Sequence, residues 1–237
     1  MKNKIESAKT EKELSPEEKK IAMSLESFQH LDIQSKIFLV LVWRGLKKAS
    51  AVSLAPGLPQ SAIDDLEKRV KKAGLFFKPT DHLIEIGKNM HGLEPGRVCF
   101  VANNQADLDS ISDLWFKDHA NDSNVYTRMG QLSGYPPTAV NAYDEIFKSL
   151  KSERENKMKE LILSEGEKKD LLKLEPDLIP FTFFFFMSRG EGDKFVPNEL
   201  EIVRKWAAEI KLITPALYQL FIENYKKNSF QSVKTKS

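Results

Sequence analysis

A Gly-Tyr-Pro-Pro stretch at positions 134–137 interrupts a segment whose flanks have the spacing of amphipathic helices. Gly134 can end a helix in the left-handed backbone region. Tyr135 precedes a proline and is therefore restricted to an extended conformation, while Pro137 suits the first turn of a following helix. The sequence predicts a rigid corner between two helices, with a tyrosine at its apex.

Helical periodicity dominates the rest of the chain. The Ser-Pro-Glu-Glu stretch at 15–18 is typical of a capped helix start. Asp32 can cap a second helix, from 33 to about 48, whose centre is apolar on all sides. Because such a helix is usually buried on most of its faces, we expect it at the centre of the core. Further helices are predicted at 60–73, 105–117, 122–133, 138–150, 198–212 and 215–228.

Short segments have the composition of β-strands. Residues 75–78 and 82–87 are predicted to form a hairpin around the turn at 79–81, and 97–102 is a further strand. The aromatic and β-branched stretch at 178–187 predicts a buried strand. The fold class is therefore mainly α (α+β), a helical core with a small β-sheet or hairpins.

Four regions follow along the chain. Residues 1–14 are expected to be a disordered N-terminus, 15–90 a helical subdomain with a β-hairpin, 91–228 a helical subdomain with buried strands, and 229–237 a disordered tail. The highly charged stretch at 151–177 suits either a solvated helix or a mobile linker. The order helix, turn, helix and hairpin also resembles a winged-helix domain in the N-terminal subdomain.

The charge balance limits the kinds of partner. The chain has 36 basic and 34 acidic residues, a net charge of +2, without a clustered basic face. We therefore expect no obligate binding to nucleic acid. Apolar runs such as 37–43 are far shorter than the ~18 residues that span a bilayer, so no membrane partner is expected. The single cysteine excludes an intramolecular disulfide, which together with the polar N-terminus predicts a soluble, cytoplasmic protein.

The sequence contains no recognisable catalytic or metal-binding motif. The four histidines, at 30, 82, 91 and 119, lack the dense spacing of metal ligands, although His82 and His91 flank a predicted strand and could approach one another. Cys99 lies in an apolar strand and is predicted to be a buried structural thiol. Neither a phosphate-binding loop nor a nucleophile elbow is present. We predict no metal site and no cofactor.

The C-terminal half carries a resemblance in three places. Gly130-x-Leu132 precedes the Gly-Tyr-Pro turn, Ala139-Val-x-Ala-Tyr143 follows it, and a Phe-rich segment and a Trp-containing helix come later, at 181–188 and 201–207. These motifs resemble uncharacterised proteins of candidate-phyla bacteria that share a Leu-Gly-Tyr-Pro-like turn. In a more distant group with the same turn, two cysteines stand where Thr138 and Ala139 stand here, so the resemblance implies no thiolate or metal role. It supplies no activity.

The first functional hypothesis is a non-catalytic binding or interaction protein. Arg128, Tyr135 and Tyr143 surround the predicted corner and are the candidate contacts with an unknown protein or small-molecule partner. The alternative is an enzyme with a dispersed site near Gly134-Tyr135-Pro136, drawing also on His119 and Asp118. A concave pocket with convergent polar groups at the corner would favour a ligand site over a purely structural corner.

A second alternative is a winged-helix-type nucleic-acid binder. Its contacts would come from the helix at 60–73, in which Lys68, Arg69, Lys71 and Lys72 could hold the phosphate backbone. Asp64 and Asp65 stand at the start of this helix, where base contacts would be made, and they oppose phosphate. The sequence therefore makes nucleic acid an unlikely partner.

Overall fold

The computed structural model of the protein describes residues 13–55, 57–84, 96–117, 124–150, 152–184, 187–189 and 197–234. The α-helices are α1 (Pro16–Glu26), α2 (Ile33–Trp43), α3 (Gln60–Lys72), α4 (Gln105–Phe116), α5 (Val125–Leu132), α6 (Pro137–Lys148), α7 (Arg154–Leu161), α8 (Glu165–Leu171), α9 (Pro197–Ile213) and α10 (Pro215–Lys234). The strands are β1 (Ala49–Leu54), β2 (Phe76–Ile84) and β3 (Gly96–Ala102), and a 3-10 helix spans Pro176–Phe183. The mainly α, α+β class is confirmed. Within the described residues, no helix combines the length and the apolar character that crossing a membrane requires.

The first two helices begin at the positions that the sequence indicates. The Ser15 hydroxyl accepts from the Glu18 amide at 3.2 Å, and the Glu18 carboxylate accepts from the Ser15 amide at 2.8 Å, which completes a capping box. Asp32 caps α2 by accepting from the Ser35 amide at 2.7 Å. Side-chain caps therefore satisfy amide groups that would otherwise lack an acceptor at both helix starts.

The three strands form one antiparallel sheet in the order β1-β3-β2. In β3, Val98, Phe100 and Ala102 pack on the side of α4, while Cys99 and Val101 pack on the opposite side, among residues of α1, α2 and α3. Successive side chains point to opposite faces of a strand. Because both faces of β3 are covered, the strand is an apolar run and lacks the clean alternation of a half-exposed strand.

The predicted hairpin at 75–78 and 82–87 is wrong. β2 runs without a break from Phe76 to Ile84 and pairs with β3, with an irregular register between Pro79 and Leu83. Pro79 is tolerated because β2 is an edge strand, where the missing amide donor breaks no ladder. The division predicted after residue 90 passes through this sheet, since β3 pairs with both β1 and β2.

α2 is the central helix of the core, as its all-round apolar composition predicts. Ile37, Val40 and Leu41 pack with α9, α10 and the 3-10 helix, whereas Leu39 and Val42 pack towards the sheet. The helix ends at Trp43, five residues earlier than predicted, and Gly45 follows with φ of 68°. β1 occupies the next segment and was not predicted.

The predicted strand at 178–187 is also wrong, since Pro176–Phe183 forms a 3-10 helix. Pro176 starts the helix and Pro180 lies inside it, and Ile179 and Phe181 are buried in the cluster formed with α9 and α10. Near this stretch, the described residues show extended pairing in a short bridge between Ile162 and Ser188, and 185–186 lie outside the described residues. Tertiary packing and the two prolines therefore override the strand propensity of the aromatic residues.

The structure also describes the charged stretch at 151–177, except residue 151, and most of the C-terminal segment. The charged stretch contains α7 and α8, so the helical alternative describes it better than the linker. α10 continues to Lys234, so the tail predicted at 229–237 is helical as far as 234, and 235–237 lie outside the described residues, as do 1–12.

Candidate functional site

The α5–α6 corner has the geometry that its sequence predicts. Gly134 adopts φ of 69°, its amide donates to the Gln131 carbonyl at 3.2 Å, and the Tyr135 amide donates to the Gly130 carbonyl at 3.0 Å. This pair of bonds is the Schellman arrangement at the end of a helix. Pro137 then occupies the first turn of α6, as expected. The corner is confirmed.

A glycine is required at position 134 for a second reason. A Cβ atom there would lie 2.4 Å from the carbonyl oxygen of Leu46, which belongs to the loop between α2 and β1. The Lys48 amide donates to the Leu132 carbonyl at 3.0 Å, which holds the loop against the end of α5. The corner and this loop are therefore in direct backbone contact.

Lys47 is a buried cation in the same loop. Its Nζ donates to the Ser133 carbonyl at 2.8 Å and lies 4.4–4.6 Å from the centres of three aromatic rings, those of Phe38, Tyr135 and Trp206. Desolvation lowers the pKa of Lys47 well below its ordinary value. The side chain holds the corner against the core and does not line the cavity described next.

A large cavity lies beside the corner, and we call it the corner cavity. Its volume is about 1180 Å³, and α5, α6, α7, α8 and the 3-10 helix contribute to its wall. Most of the lining is aromatic or aliphatic and includes Trp115, Met129, Val140, Met158, Ile162 and Phe184. This volume is somewhat above the ~300–1,000 Å³ of common ligand pockets.

Tyrosines form the α5–α6 side of the cavity. The ring centres of Tyr126 and Tyr143 lie 5.2 Å apart, and both rings pack on Phe147. Burial raises the pKa of Tyr135 to about 12, and a hydrogen bond with the Ser133 side chain opposes this rise. Burial, followed by the proximity of Tyr126 and Tyr135, likewise raises the pKa of Tyr143 to about 12. Both phenols therefore stay protonated at neutral pH and can donate hydrogen bonds.

Lys168 is a buried cation on α8 that also lines the cavity. It is 5% exposed, and its Nζ lies 4.9 Å from the centre of the Phe183 ring, which also lines the cavity. The hydrogen bond of this Nζ to the Thr182 carbonyl is long, at 3.4 Å. Burial lowers the pKa of Lys168, while the more distant carboxylates of Glu165 and Glu199 act in the other direction.

Glu199 is a fully buried carboxylate that connects α9 to the corner. One oxygen accepts from the Thr138 hydroxyl at 2.7 Å and from the Ser188 hydroxyl, and the other accepts from the Ser188 amide at 2.7 Å. Burial raises the pKa of Glu199, although these hydrogen bonds oppose the rise. Its two oxygens therefore fix the start of α6 relative to residue 188.

The remaining charges at the cavity are paired with each other. Arg189 forms a bidentate pair with Glu167, which includes a contact of 2.8 Å from Nη2. Hydrogen bonds from Arg189 and then Ser164 lower the pKa of Glu167 to about 2. At the exposed rim, Lys159 pairs with Glu155 at 2.7 Å.

The structure brings together two of the three predicted contact residues. Tyr135 and Tyr143 both line the corner cavity, whereas Arg128 is exposed and lies outside its lining. His119 and Asp118, invoked for the enzyme alternative, lie outside the described residues. Within the described part of the chain, histidine, cysteine and acidic side chains form no cluster of three or more that could hold a metal ion.

The basic residues of α3 are only partly available. Arg69 pairs with Asp65 at 2.8 Å and donates to the Ser24 carbonyl, and Lys71 pairs with Glu67 at 2.7 Å. Lys68 and Lys72 are exposed. The helix and the following antiparallel strands required by the winged-helix alternative are present, but Arg69 holds α3 against α1, so it is engaged within the fold.

Three buried charged residues at or near the cavity escaped the sequence analysis, namely Lys47, Lys168 and Glu199. Each lies among other charged or polar residues in the sequence, where exposure is the usual outcome. The comparisons with known proteins give no further guidance, because no protein-family model, curated protein or solved structure matches this chain.

Proposed function

We propose that this protein binds a small, largely apolar molecule in the corner cavity. The observation that carries the proposal is a concave space of about 1180 Å³ walled mainly by aromatic and aliphatic side chains, with a few polar groups among them. Ligand pockets usually combine such walls with a small number of placed donors and acceptors. Tyr135 and Tyr143 supply donors, and Lys168 supplies a cation.

The two tyrosines of the cavity suit the role of hydrogen-bond donors better than that of a general base. A general base needs a pKa near the working pH. The pKa values of Tyr135 and Tyr143 are both raised to about 12, so these hydroxyls donate hydrogen bonds and do not accept protons at neutral pH. Such groups orient a ligand, as the polar residues of a binding pocket do.

The test is a titration with Nile red, a neutral apolar dye whose fluorescence rises in apolar surroundings. Met158→Trp places a larger side chain in the cavity wall on α7, and Asn156→Trp adds the same residue at an exposed position of the same helix. We expect saturable binding to the wild type and to Asn156→Trp, with affinity at least tenfold lower in Met158→Trp. Absence of saturable binding, or equal affinity in all three proteins, would refute the proposal.

A further inference from the structure

Lys168 has fewer acceptors than its ammonium group can use. An ammonium has three N–H donors. Among the described residues, only the Thr182 carbonyl accepts from it, at 3.4 Å, which is beyond the usual 2.7–3.2 Å. The side chain is nevertheless 5% exposed, so water replaces few of the missing contacts.

Within the described part of the chain, the other charges near the cavity are bonded to partners other than Lys168, and Glu165 and Glu199 act on it only through space. Arg189 is neutralised by Glu167, and Lys159 is neutralised by Glu155 at the rim. The two carboxylate oxygens of Glu199 accept hydrogen bonds from Ser188 and Thr138. Within the described residues, no carboxylate forms an ion pair with Lys168. Among the described residues, Lys168 therefore lines the cavity without a carboxylate bonded directly to its ammonium group. A buried charge is costly unless it is paired.

We infer that the ligand of the corner cavity carries a carboxylate, which Lys168 binds, and an apolar body, which packs on the aromatic part of the wall. Lys168 stands on α8, and the aromatic wall of Tyr126 and Tyr143 stands on α5 and α6, so the two ends of such a molecule meet different chemistry. A carboxylate would accept hydrogen bonds from the N–H groups of Lys168 that have no other acceptor among the described residues. This inference rests on the proposed binding function and specifies its ligand class.

The experiment compares two ligands with the same tail, decanoate and decanol, by displacement of Nile red from the whole protein, below the micelle concentration of decanoate and the solubility limit of decanol. A hydrogen bond to a charged group favours binding by about tenfold or more. We therefore expect the wild type to bind decanoate at least tenfold more tightly than decanol. In Lys168→Met, which keeps an unbranched side chain and removes its charge, the preference for decanoate over decanol should disappear.

The control variant is Lys173→Met, which removes an exposed lysine outside the cavity lining and should keep the preference for the acid. Equal affinities for decanoate and decanol in the wild type, or an unchanged ratio in Lys168→Met, would overturn the inference and leave the binding function standing. If the wild type bound neither Nile red nor decanol, this result would instead refute the binding function itself. If Lys168→Met does not fold, Lys168→Gln provides the uncharged comparison, and the wild-type ratio alone still decides.

Discussion

The Nζ atom of Lys47 lies 4.5 Å from the centre of the Tyr135 ring, and Tyr135 is part of the cavity lining. The loop after α2 therefore contacts and positions a residue of the candidate site without itself lining the cavity. The same amine donates to the Ser133 carbonyl at 2.8 Å. One buried side chain thus holds both the backbone and the tyrosine of the corner.

Two substitutions of Lys47 distinguish the contribution of its packing to stability from that of its charge. Apolar replacement of a buried charge is often neutral or stabilising, so Lys47→Met should match or exceed the wild type in free energy of unfolding at neutral pH. Lys47→Ala leaves a cavity and should lose about 2–5 kcal/mol. Denaturant titration measures both, and a large loss in Lys47→Met would show that the ammonium itself is needed.

Comparison of the wild type with Lys47→Met also tests the pKa of Lys47. Burial lowers this pKa below its ordinary value of 10.5, so between the two values the unfolded chain binds one proton more than the folded chain. The free energy of unfolding of the wild type should therefore rise with pH, relative to Lys47→Met, up to about pH 10.5. A difference that stays constant with pH would contradict the assignment.

Gly134→Ala should be more destabilising than an ordinary substitution in the left-handed region. That region costs a non-glycine residue roughly 1–2 kcal/mol. Gly74→Ala is the matched control, since Gly74 has φ of +76° and nothing within 4 Å of its added Cβ. At Gly134 the added Cβ would also meet the Leu46 carbonyl at 2.4 Å. Equal losses in the two variants would mean that the loop after α2 can move away.

Glu199→Gln and Glu199→Ala should differ strongly. Glutamine can still accept from the Ser188 amide, whereas alanine leaves this buried donor unsatisfied, at about 1–3 kcal/mol. Because burial raises the pKa of Glu199, the folded state holds its proton to higher pH than the unfolded state does. The wild type should therefore lose stability relative to Glu199→Gln as pH rises from 4.5 to the raised pKa. Parallel pH profiles would argue against a raised pKa.

Cys99 should be inert in the folded protein. It is fully buried in β3, and burial raises the pKa of its thiol to about 12, despite the opposing effects of Thr80 and Arg97. Because the thiolate is the reactive form, Ellman's reagent should label Cys99 only when denaturant unfolds the chain. Rapid labelling in native buffer would indicate that the sheet opens locally.

The elements that could be predicted are those with local signals. The start of α1 follows from its capping box, and the α5–α6 corner follows from Gly134 and the two prolines after Tyr135. The 3-10 helix at Pro176–Phe183 was mistaken for a strand because its aromatic composition has strand character, while its burial against α9 and α10 depends on contacts distant in sequence.

The candidate site could be predicted only in part for the same reason. Tyr135 and Tyr143 flank the corner and were found by their sequence position. Lys168 and Glu199 come from separate segments that approach the corner only in the folded chain. A charged residue in a short, highly charged helix gives no local sign that it is buried.

The position of α7 has a consequence for how this cavity could change. None of the eight described residues of α7 is buried, yet Met158 on this helix forms part of the cavity wall. Substitutions on α7 can therefore reshape the opening while the packing of α2, α9 and α10 stays intact. Under the proposed binding function, substitutions on α7 would alter ligand selectivity at little cost in stability.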